Sequence, residues 1–69
     1  MDTNVFFAKR VQRGLTQLEL SKITGVSQQL ISKIENDKYF NIYQFATLKK
    51  LCDYLQIDIR TLNIYDQED

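Results

Sequence analysis

TQLELSKITGVSQQLISKIEN, Thr16 to Asn36, is the stretch that decides how this chain folds. It opens on a capping box: the Thr16 hydroxyl is placed to accept from the backbone N–H of Glu19, and the Glu19 carboxylate to reach back to the N–H of Thr16. The helix that begins there runs to about Thr24 and stops at Gly25, a residue that turns left-handed without a Cβ penalty. Only Gly25 to Ser27 separate it from the next apolar-periodic run. Ser27 is a good N-cap, and Leu30, Ile31 and Ile34 mark the buried side of a second helix ending near Asn36. Two short helices with a glycine turn between them make a helix-turn-helix candidate. The second starts with two adjacent glutamines, Gln28 and Gln29, whose amides are costly to bury unpaired.

Toward the amino end, Thr3 to Arg13 sets Phe6 with Arg10 and Phe7 with Val11 at i, i+4 spacing, and Gly14 follows basic residues suited to a helix end. That is a first helix. On the other side, FNIYQFATLKKLCDYLQ (Phe40 to Gln56) offers Asn41 as an N-cap with Gln44 three residues on, and Phe40 and Phe45 placed to close a hydrophobic staple. The spacing predicts a helix from Ile42 to about Leu55 with Phe45, Leu48, Leu51, Cys52 and Leu55 facing in. Asp58 is placed to cap a short fifth turn through Leu62. No strand is expected, although DIRTLNIYD (Asp58 to Asp66) is ambiguous enough to pair as one. The sum is an all-α, compact five-helix bundle: one domain over residues 1–65, then an acidic tail at 66–69.

Composition agrees with one small domain. Sixty-nine residues lie near the lower limit for a core without staples, and 43% hydrophobic residues with 26% charged is too apolar for disorder. The single Cys52 and the lack of histidine deny an internal disulfide and the usual zinc ligands, so neither metal nor cofactor is expected. With no leader and no apolar run approaching a membrane span, the expectation is a soluble, cytoplasmic protein. No histidine, no paired carboxylates at a plausible cleft and no glycine-rich phosphate loop argue against an enzyme. Phe6, Phe7, Phe45 and Tyr54 fall at helical spacing and are assigned to the core, not to base stacking. Tyr39, Phe40 and Tyr43 cluster in a loop, with a staple, a partner contact and, should the partner be a nucleic acid, its backbone all open to them. The zero net charge conceals a dipole: residues 1–50 hold eight basic and four acidic side chains, and residues 51–69 hold one basic and five acidic.

At RGLTQLELSKITGVSQQLISKIEN, Arg13 to Asn36, the chain also resembles the helix-turn-helix domain of the phage repressor and Cro family, often called the Xre family, whose fold is lambda-repressor-like. The likeness spans roughly residues 6–62. It implies that Gln17 holds a DNA phosphate and braces the next helix, and that Leu20, Val26, Ile31 and Ile34 lock the two helices together. It implies a partly buried ion pair between Arg10 and Glu35, structural in role. Ser27, Gln28, Gln29 and Lys33 match the exposed face of the recognition helix, where a glutamine amide suits adenine and a lysine suits guanine or a phosphate. Arg13, Asn36 and Lys38 are further phosphate candidates, each as compatible with plain surface.

The departures from the family pattern are Asp37 where glycine is usual, Thr24 for a commoner leucine, Lys9 where an apolar residue is frequent, and a longer loop at Lys38 to Asn41 that lacks its proline. The expected function is a sequence-specific regulator, a repressor, bound to double-stranded DNA as a homodimer on an inverted repeat. Ile57, Ile59, Leu62, Ile64 and Tyr65, left over once the core is filled, are the expected dimer surface. The alternative is an antitoxin or other interaction module of the same fold whose main partner is a protein, a toxin among the possibilities.

Overall fold

The structure, a computed structural model, describes residues 4–62. Four α-helices follow one another: α1 at Val5–Gln12, α2 at Gln17–Thr24, α3 at Gln28–Glu35 and α4 at Phe45–Leu55, with a 3-10 turn at Ile59–Thr61. The expected five helices are thus four plus that turn. Asp58 does cap it, accepting from the N–H of Arg60, but three residues do not complete an α-helical turn. No strand occurs among the described residues, and none of their helices is long and apolar enough to cross a membrane.

Local chemistry sets the boundaries. Asn4 caps α1 by accepting from the N–H groups of Phe6 and Phe7, and Gly14 turns the chain left-handed at φ 71°. The capping box of α2 is complete in both directions, with Thr16 Oγ1 and the Glu19 carboxylate each bonded to the other's backbone. Gly25, at φ 80°, closes α2, and the Ser27 hydroxyl opens α3 by accepting from the N–H of Leu30. Thr24 finishes the turn: its hydroxyl donates to the Leu20 carbonyl and accepts from the N–H of Val26. A leucine at that position could do neither.

The core is built from the inner faces of all four helices. Phe6, Ile31, Ile34, Leu48, Leu51, Cys52 and Leu55 are buried together, as the periodicity predicts, and Leu20 and Val26 lie with them, as the family resemblance implies. Phe40 joins them, meeting Phe6 edge to face at 5.3 Å between ring centroids. That placement overturns the expected start of α4. Phe40 is committed to the core and cannot staple Phe45, which is 63% exposed. Residues 40–43 form a turn closed by the Tyr43 N–H on the Phe40 carbonyl, so Asn41 does not cap a helix. The helix begins at Phe45 with Gln44 as its N-cap, without a side-chain cap bond, and Ile42 stands outside it, 68% exposed. Tyr54, also assigned to the core, is exposed on the outer side of α4.

Burial corrects one more expectation, and backbone geometry explains one departure from the family pattern. Ile57 and Leu62 are buried in the monomer core, and Ile59 packs half-buried against it, so these residues complete the core and do not form a free dimer surface. Ile64, Tyr65 and the acidic tail lie outside the described residues. Asp37 does not adopt the left-handed conformation of the glycine it replaces; among the described non-glycine residues only Gln56 does, at φ 59°. The end of α3 is closed from elsewhere in the fold. Asn4 donates its amide to the carbonyls of Ile34 and Asp37, so no reversal at residue 37 is required.

Candidate nucleic-acid interface

The position of α3 is fixed by Glu35, buried at its carboxyl end. Arg10 meets the Glu35 carboxylate with two parallel bonds, Nε to Oε2 at 2.7 Å and Nη2 to Oε1 at 3.0 Å. Gln17 Nε2 donates to the same Oε1 at 3.1 Å. The remaining guanidinium nitrogen, Nη1, donates to the carbonyl of Leu15 at 2.8 Å, and the Phe7 ring faces the guanidinium at 5.3 Å. One buried carboxylate thereby ties α1, the entry to α2 and the end of α3 together. No buried side-chain nitrogen or oxygen among the described residues lacks a partner.

With its inner face held by Ile31, Ile34 and Glu35, α3 presents its outer side and its amino-terminal turn to solvent. Ser27, Gln28, Gln29 and Lys33 are all exposed there, on one short surface that starts at the helix amino end. The Ser27 hydroxyl is engaged in capping. The Gln28 and Gln29 side chains make no hydrogen bond with any described residue, and the first turn of α3 holds no acidic residue. Two neutral amides, each with a donor and an acceptor, thus stand beside the positive end of the helix dipole. Lys33, one turn on, lies 3.6 Å from the Asp37 carboxylate and 5.5 Å from the Tyr43 ring centroid.

The residues matched to phosphate contacts divide into two groups. Gln17 borders α3 through its bond to Glu35, and Asn36 and Lys38 are exposed just past the end of α3, Asn36 donating to the Ser32 carbonyl and Lys38 lying over the Tyr39 ring. Arg13 goes elsewhere. Its guanidinium donates to Gln56 Oε1 at 3.0 Å and sits over Tyr54, against the end of α4, so the structure does not bring it to the α3 face.

Sequence reasoning missed two features of this surface and one at the end of α4. Asn4 serves two helices at once, and only its capping of α1 follows a local pattern. Tyr43 donates its hydroxyl to Asp37, a link that depends on Phe40 entering the core. Its phenol pKa is pushed up by burial and then by Asp37, so it keeps its proton. Gln56 takes the left-handed C-cap of α4, where glycine would have been the signal.

No characterised protein and no solved structure matches the chain. In comparison with known families, residues 7–62 match the helix-turn-helix family, which takes in α2, α3, α4 and most of α1, and so most of the chain. That match covers the α2–turn–α3 unit and the core that positions it, and the chain accordingly belongs to the Xre, Cro and lambda-repressor type of helix-turn-helix family, a family of DNA-binding regulators.

Proposed function

We propose that this chain represses transcription by occupying an inverted-repeat operator on double-stranded DNA as a homodimer, reading bases with the amino-terminal turn of α3. What carries this is the pair Gln28 and Gln29, exposed and without side-chain partners among the described residues, at the start of a helix braced from behind by Glu35. A glutamine amide pairs with the N6 donor and N7 acceptor of adenine together, and recognition helices of this motif enter the major groove by that end. Gln17, Asn36 and Lys38 supply phosphate contacts around it. A single α3 offers too small an interface for tight specific binding at physiological salt, which is the reason for two copies.

Selection of bound duplexes from a random pool tests this. Two inverted half-sites about one helical turn, roughly 10 base pairs, apart are expected, with adenine at the positions facing the glutamines. A pool that returns no enriched sequence contradicts it. Binding should also weaken steeply with salt, with a slope of log K on log salt of about −5 if roughly six phosphates are neutralised.

One observation favours a protein partner in addition or instead. Ile42 and Phe45 are large apolar side chains left 68% and 63% exposed where the loop enters α4. They are the two most exposed of the large apolar side chains described, and so are open to a second copy or, in an antitoxin-like module, to a different protein. Sedimentation of the free chain separates the cases: a dimer disrupted by Phe45→Lys supports self-association there, and a monomer that binds no duplex supports the interaction module.

A further inference from the structure

Lys33 is the only cation on α3, and it shares an exposed face with Gln29, one turn earlier. Its side chain is 59% exposed, yet its ammonium has neighbours within the protein. Its ammonium is drawn toward the carboxyl end of the helix by the Asp37 carboxylate at 3.6 Å and the face of Tyr43 at 5.5 Å. Asp37 is itself held from two sides. Its backbone carbonyl accepts from Asn4 at 2.8 Å and its N–H bonds to the Ile34 carbonyl at 3.2 Å, while its carboxylate accepts from the Tyr43 hydroxyl. Tyr43 is half-buried, its ring 6.4 Å from that of Phe40, which packs on Phe6 in the core. The carboxylate facing Lys33 is therefore anchored to the interior of the protein.

An exposed pair at i, i+4 adds little to stability, so its consequence lies in binding. From these contacts we infer that Asp37, backed by Tyr43, is a positioning residue for Lys33: it competes with DNA phosphates for the ammonium and so weakens binding to sequences that the glutamines do not match. The inference rests on α3 being the helix that enters DNA. Nonspecific affinity comes almost wholly from cations meeting phosphates, and a lysine neutralised within the protein is withdrawn from that attraction. Base contacts by Gln28 and Gln29 do not pass through Lys33 and keep their strength. The pair thus lowers the backbone attraction that any duplex has for α3 and leaves the base contacts to decide which sequence is held.

The test is a cycle of four proteins, wild type, Asp37→Asn, Lys33→Met and the double variant, titrated with an unrelated duplex over a range of salt, with thermal melts to show that each is folded. Asp37→Asn should tighten binding to the unrelated duplex about threefold to tenfold at low salt and steepen the salt slope by about 0.9 per chain, as one more phosphate contact requires. Most of both changes should vanish on the Lys33→Met background. Tyr43→Phe, which keeps the ring against Phe40, should give a smaller change of the same sign that also depends on Lys33. Equal tightening with and without Lys33 would show that Asp37 acts by its own charge alone and overturn the inference, as would an unchanged slope in Asp37→Asn. A wild-type protein that retards no duplex removes the DNA-reading role of α3 and the inference with it; a wild type that binds, with a flat cycle, removes the inference only.

Discussion

The amide nitrogen of Asn4 lies 2.6 Å from the carbonyl oxygen of Ile34, joining the start of α1 to the last turn of α3. The same side chain accepts from Phe6 and Phe7 with its oxygen, so one residue caps two helices thirty positions apart. Asn4→Asp separates the two roles. It keeps the acceptor for α1 but loses the donor and turns a carboxylate toward two carbonyls, and should cost about 1–3 kcal/mol in a denaturant titration. Stability equal to wild type would show that the link to α3 contributes nothing.

Glu35 is buried with Arg10 and Gln17 both bonded to it. Truncation to alanine leaves a guanidinium with 11% side-chain exposure and no counterion, and should cost about 3 kcal/mol. Replacing Arg10 and Glu35 together by apolar residues of similar volume should cost much less, since no charge is then stranded. Equal losses in the single and double variants, read from thermal melts, would contradict the ion-pair account.

Gln56 holds the left-handed C-cap of α4 at φ 59°, ψ 46°. A side chain there carries a strain that glycine does not, and its bond from Arg13 is exposed and adds little. Gln56→Gly should stabilise the domain by about 0.5–1 kcal/mol, partly offset by the freer unfolded chain. A lower melting temperature would mean that the Arg13 contact matters more than the backbone strain.

Burial, with Asp53 adding to it, pushes the Cys52 thiol from its ordinary 9.0 up to about 11. Below pH 9 the thiol is neutral in both folded and unfolded chains, and its contribution is fully present. Between about pH 9 and 11 only the unfolded chain ionises, so stability is lost as pH rises through that window. Cys52→Ala should flatten the fall in melting temperature between pH 9 and 10. The same slope in both proteins would place the alkaline loss elsewhere.

Much of this architecture was legible because its signals are local. The capping box at Thr16, the stop at Gly25 and the N-cap at Ser27 specify the helix-turn-helix within twelve residues, and every apolar position expected on the inner faces of α2 and α3 is in the core or packed against it. The entry to α4 was not legible. Asn41 and Gln44 carry a good capping pattern, but the Phe40 ring gains more against Phe6 than a staple to Phe45 would give, and tertiary packing overrides the local pattern. The leftover apolar residues at the carboxyl end were misread for a related reason: a domain this small needs Ile57 and Leu62 to close its own core. The candidate reading face was visible as residue types at helical positions. Lys33 and Asp37 stand at i, i+4, but the Tyr43 hydroxyl behind that carboxylate was not legible, because Tyr43 reaches Asp37 across a loop whose path no spacing rule gives.

Substituting Gln28 and Gln29 each by alanine shows whether these two side chains read bases. Alanine is at least as good a helix former, so both variants should melt no lower than wild type. On the selected operator each should lose about 1–3 kcal/mol of binding free energy, with preference relaxed at one base position, and on unrelated duplexes almost nothing, since only base contacts carry sequence information. If both variants bind the operator and its single-position changes with the discrimination of wild type, the glutamines are surface residues and do not read bases.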